Sequence, residues 1–105
     1  MIVSSATAEH YNWSDGCDGW ILASGNDLLV IEDLMPPKTS ETRHYHTKAK
    51  QFFYVLSGVL TVEVGCVSHE VSARKGMEAQ NEGGCSLLTL VLVSAEEPVE
   101  HVVCL

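Results

Sequence analysis

An all-β fold follows from three features of this 105-residue sequence. Short apolar stretches alternate or run for the length of a strand. Gly, Pro, Asn and Ser punctuate them every eight to twelve positions or so. Nowhere do apolar residues recur at the three- and four-residue spacing of a confident helix. Many short strands in one small chain predict a sandwich or small barrel, because a sheet with one apolar face must close on itself or on another sheet.

Leu28 to Met35 reads as a strand rich in Leu, Val and Ile. It is closed by Pro36 and Pro37, which cannot donate to a ladder. Thr42 to His46 is a short polar strand. Phe52 to Leu56 and Val59 to Val64 follow, and Ser57-Gly58 between them reads as a tight hairpin turn. Val67 to Ala73 alternates weakly, Gly76 marks a turn, and Asn81 to Gly84 is a loop. Leu87 to Val93 is an unbroken apolar strand and therefore central. Val99 to Cys104 is expected as a last, edge strand. Trp13 and Trp20 flank a Gly- and Asp-containing stretch expected to cover one end of the barrel.

Residues 1–105 make one domain. With 46% hydrophobic and 19% charged residues there is enough apolar material for a core. A formal charge of -8, from 14 acids against 6 bases, argues against nucleic acid, whose binding needs basic clusters that displace counterions. No apolar run approaches the roughly 20 residues of a membrane-spanning helix. The first ten residues, Met1 to His10, show no leader pattern, so a cytoplasmic address is expected. Cys17, Cys66, Cys85 and Cys104 lack C-x-x-C spacing and read as small apolar side chains rather than metal ligands or disulfides.

Chemistry concentrates at His44-Tyr45-His46. Alternate residues of a strand share a face, which gives two imidazoles on one side and Tyr45 on the other. Such a pair suits a divalent metal with a third donor from the next strand, and Gln51 opens that strand. If the interior takes Gln51, it also takes Phe53 and Val55, placing one polar group above apolar walls, as in small-ligand sites. The competing reading has the two histidines hydrogen-bonded to barrel side chains around a wet pocket. Thr42, Tyr54, Met35 and Met77 read as packing, and Glu96, Glu97 and Glu100 as solvated surface.

The run Lys38-x5-His44-x-His46-x4-Gln51-x6-Gly58 resembles the first motif of the cupin superfamily, G-x5-H-x-H-x3 or x4-E-x6-G. The surrounding text, Met35-Pro36-Pro37 and Gln51 to Gly58, is similar to small single-domain bacterial cupins. The resemblance implies an RmlC-like double-stranded β-helix, or jelly-roll barrel, and a site for Fe, Mn, Ni, Cu or Zn. Its metal ligands here would be His44, His46 and Gln51, with dioxygenase or isomerase chemistry on a small organic molecule.

The sequence departs from the family at Lys38, in place of the opening glycine, which is read as harmless, and at Gln51, in place of glutamate. The neutral amide leaves the dication its full charge, which favours imidazole-loving metals, weakly held. The second motif, G-x5-P-x-G-x2-H-x3-N, reads as absent: Gly76 is followed by Met77 to Gly83, and Asn81 stands five steps on where the motif takes fifteen. On that reading a segment carrying the last histidine ligand is missing, and His69 is a solvent-facing residue. The alternative function is then a barrel that binds a small ligand without turnover or tightly held metal. A homodimer is expected, covering Phe52, Tyr54 and Leu56 on an outer face.

Overall fold

The computed structural model describes residues 2–13, 16–26, 28–44, 50–64, 67–80, 88–93 and 97–104, for the backbone alone at 41–44, 50, 80 and 88–92. Among them there are ten strands and no helix. They are β1 (Glu9–Trp13), β2 (Cys17–Ser24), β3 (Leu29–Met35), β4 (Ser40–His44), β5 (Lys50–Ser57), β6 (Val59–Val64), β7 (Val67–Ser72), β8 (Gly76–Gln80), β9 (Leu88–Leu92) and β10 (Val99–Cys104).

One sheet runs β1-β2-β3-β10-β5-β8 and the other β4-β9-β6-β7. Every neighbouring pair is antiparallel. Strands β3 to β10 form the two four-stranded layers of a jelly roll. The β1–β2 hairpin widens one layer at β3.

Alternation decides what each strand contributes. Ile31, Asp33 and Met35 of β3 are buried, as are Gln51, Phe53 and Val55 of β5, Leu60 and Val62 of β6, and Val99, His101 and Val103 of β10. Cys17, Val71, Ala79 and Val93 complete the apolar core, with Tyr11, Trp13 and Met77 packed against it. Phe52 stays 43% exposed on the outer face of β5. His69 is exposed, as expected, while Cys17 is buried and Cys104 half-buried. Cys66, Cys85 and Glu96 lie outside the described residues.

Several expected elements change place. Val99 to Cys104 is not an edge: it pairs with both β3 and β5. Its two polar residues, Glu100 and His101, lie on opposite faces, the first exposed and the second buried. Ser57-Gly58 is not a hairpin turn, because β5 and β6 belong to different sheets. Gly58 instead turns the corner at φ +85, where a Cβ would stand 2.6 Å from the Pro98 carbonyl oxygen. The turn assigned to Gly76 falls earlier, at Arg74 with φ 68, and Gly76 opens β8. The stretch around Trp13 and Trp20 is a strand pair rather than an end cover.

The missing-segment reading is also overturned. Strands β8 and β9 both stand in their sheets, joined across 81–87, so no strand has been lost. Counted from Gly76, the motif's glycine falls on Gly84, its proline position on Glu82, its histidine position on Leu87 and its asparagine position on Val91. On that count Gly84 keeps the family's residue and the other three positions do not.

Candidate functional site

The motif residues lie on β4, β5 and the β8–β9 connection. His44 is the last residue of β4, opposite Leu88 of β9. Its side chain, all of His46, and Leu87 lie outside the described residues. Gln51 sits on β5, in register with Ala79 of β8, and is 3% exposed. Its Oε1 has no hydrogen-bond partner among the described residues. A buried polar atom left in that state costs about 1–3 kcal/mol, so it marks either a weakness or a place for a ligand's donor.

Two residues that carry no motif signal form the other polar feature of the interior. Asp33 and His101 face each other across β3 and β10, both fully buried, with Nε2 of His101 3.3 Å from Oδ2 of Asp33. The Phe53 ring lies 6.0 Å from the imidazole, centroid to centroid, tilted by 45°. Neither ring nitrogen of His101 has a hydrogen-bond partner among the described residues. The signal that marks this pair is alternation. Asp33 stands between Ile31 and Met35, and His101 between Val99 and Val103, so each occupies an inward position.

The outer face of the same sheet is acidic. Burial, reinforced by the charges of Glu100 and Asp33, raises the Glu32 carboxyl above its usual range. Near the edge, Asp18 accepts hydrogen bonds at 2.6 Å from Asn12 Nδ2 and at 2.8 Å from His10 Nε2. The His10 and Trp20 rings sit 5.2 Å apart.

Residues 31–79 match the family model described as "Cupin domain". The whole fold agrees with it: a predicted oxalate decarboxylase from Thermotoga maritima superposes with a TM-score of 0.83 at 14% identity, covering 99% of this chain and 96% of that one. The chain has a cupin fold, and residues 31–79 carry the similarity to the family's sequence.

Two further cupin-like structures frame its range. An RmlC-like cupin from Shewanella frigidimarina gives a TM-score of 0.77 at 12% identity, over 97% of this chain and 86% of that one. The polyketide cyclase RemF from Streptomyces resistomycificus gives 0.76 at 15% identity, over 99% and 77%. At these identities the likeness is one of fold. No curated protein matches the sequence.

The family's metal donors are three histidines and a carboxylate, and this chain's residues do not fit that set. The carboxylate position is Gln51, a neutral amide whose buried oxygen has no hydrogen-bond partner among the described residues, and the second-motif histidine position is Leu87. A dication there would keep its full charge against a low-dielectric wall, which is costly unless the charge is paired. What the wall offers instead is a hydrogen-bond acceptor framed by Phe53 and Ala79.

Proposed function

We propose that this cupin binds a small organic molecule inside the barrel, with Gln51 as a polar anchor, and does so without a tightly held metal. The carrying observation is the buried Oε1 of Gln51, without a hydrogen-bond partner among the described residues and next to the apolar Phe53 and Val55 of its own strand. An amide oxygen so placed accepts a hydrogen bond from a hydroxyl or N–H of a bound molecule. The sequence offers His44, the last residue of β4 in the facing sheet, and His46 as further polar groups.

The second reading is a metal-dependent dioxygenase or isomerase, with His44, His46 and Gln51 holding Fe, Mn, Ni, Cu or Zn. The H-x-H pair supports it, and so does the company of enzymes that share the fold.

A thermal-shift screen of small acids, phenols and sugars, run with and without chelator, separates the two. A ligand that binds only the folded state adds about 2.7 kcal/mol at a hundredfold excess over its Kd. The binding reading expects shifts with an organic ligand that persist in chelator and disappear in Gln51→Leu. Shifts that appear only with added transition metal would transfer the case to the metal-dependent enzyme. A flat screen would sink the binding reading.

A further inference from the structure

The Asp33–His101 pair is unexplained by the family motif and by the Gln51 site. Both side chains have zero exposure, in a sandwich whose inner face is otherwise almost wholly apolar. A buried acid–base pair seldom repays its desolvation as stability, and apolar residues of similar volume often serve a core as well or better. The nitrogen that faces Asp33 is Nε2. With the ring neutral and its proton on Nε2, the nitrogen 3.3 Å from Asp33 though outside hydrogen-bond geometry, Nδ1 carries a lone pair, and no described residue donates to it. Beside it stands the Phe53 ring, a flat apolar surface. The row continues through Gly19 to Tyr11, whose hydroxyl end lies over that glycine, 2.8 Å from where a Cβ would stand.

We infer that His101, oriented by Asp33, is a second ligand-binding group of the barrel, which takes the proton of an acidic hydroxyl on a planar phenol or enol held against Phe53. The inference rests on the reading that the barrel admits a small organic molecule. The ligand's O–H bond breaks, an N–H bond forms at Nδ1, and the electron pair stays on oxygen as a phenolate or enolate. The resulting imidazolium lies between that oxyanion and the Asp33 carboxylate, and the transfer leaves the net charge of the three groups unchanged. Among the described residues, the titratable groups sharing this row are Asp33 from β3 and Tyr11 from β1. The inward residues of β5 (Gln51, Phe53, Val55) and the buried residues of the facing sheet (Leu60, Val62, Val71) carry no charge.

The probe is 4-nitrophenol, whose phenolate alone absorbs in the visible. Its ionisation is titrated free and bound to the full chain as wild type, His101→Gln and Asp33→Asn. Bound to wild type, its apparent pKa is expected to fall by about one unit, the effect of one adjacent cation. In His101→Gln the probe binds with its solution value, and Asp33→Asn lies between. An equal shift in wild type and His101→Gln would overturn the inference. So would failure of wild type to bind the phenol while the wider screen finds other ligands, an outcome that leaves the proposed function standing. A wider screen that finds nothing sinks both. Should His101→Gln fail to fold, the 15N imidazole signals of wild type carry the test: the phenol must move one histidine to the doubly protonated form, and unchanged signals would overturn the inference.

Discussion

The Tyr11 ring occupies the space above Gly19, so that a Cβ at Gly19 would meet Cζ of Tyr11 at 2.6 Å. The two residues are register partners in β1 and β2, and Gly19 is in turn the partner of Asp33. The missing side chain is what lets the ring lie down over the sheet and close the end of the polar row. Gly19→Ala must push the ring or the strand aside, and overpacking of this kind costs about 1–3 kcal/mol. Denaturant unfolding of the single variant checks the cost. In a Tyr11→Ala background the same change should cost less than about 0.5 kcal/mol, because coupled neighbours fail to add.

Lys38 fills the position where the cupin motif has its opening glycine, and it sits at φ 63. Thr39 Oγ1 donates to the Pro36 carbonyl oxygen at 2.7 Å, and the Val93 amide donates to the Thr39 carbonyl at 2.8 Å, so the turn is fixed from both sides. A residue with a Cβ loses about 1–2 kcal/mol in this region of the backbone. The substitution that reads as harmless in the sequence is therefore a standing cost. Lys38→Gly should raise stability by up to about 1 kcal/mol once the glycine's unfolded-state entropy is counted. Lys38→Ala should give no gain, which separates backbone strain from loss of the lysine charge.

The strands were legible wherever apolar and β-branched residues cluster, as in Leu29–Met35, Val59–Val64 and Leu88–Leu92. Which strand pairs with which was not, because pairing in a jelly roll joins segments far apart in sequence. Val99–Cys104 meets both β3 and β5, and nothing local at residue 99 announces that. Glu9–Trp13 escaped notice since its polar residues face outward on a strand pair that extends the sheet rather than building its core. Gln51 was legible through the motif, and its inward direction followed from the alternation with Phe53 and Val55. Asp33 and His101 were hidden because each looks like an isolated polar residue until β3 and β10 are laid side by side.

Glu32 gives a pH dependence with a definite sign. Desolvation first, then Glu100 and Asp33, raise its carboxyl in the folded chain. The folded state thus holds the proton more tightly than the unfolded one. Its contribution to stability is full below the unfolded carboxylate range and is lost as pH rises through the raised folded value. Glu32→Gln removes that loss. Its Tm should exceed that of wild type at neutral pH, and the difference should vanish in acid, where both side chains are uncharged. Paired melts across the acidic to neutral range check this, and a pH-independent difference would point to packing instead.

Gln51 carries the sharpest contrast between stability and function. Gln51 is 3% exposed and its Oε1 has no partner among the described residues, which sets a desolvation cost of about 1–3 kcal/mol for a ligand's donor to relieve. Gln51→Leu keeps the approximate volume and replaces the amide with methyl groups against Phe53 and Ala79. The variant should unfold about 1 kcal/mol later than wild type in ligand-free buffer. The same variant should lose the thermal shift that the organic ligand gives wild type, so that with ligand at saturation the order of stability reverses. A core glutamine with no binding role would show the first effect without the reversal. A Gln51→Glu variant adds a second discrimination. It restores the carboxylate of the family motif, and should gain affinity for a divalent metal while losing stability in chelator, where a buried carboxylate stands without a cation.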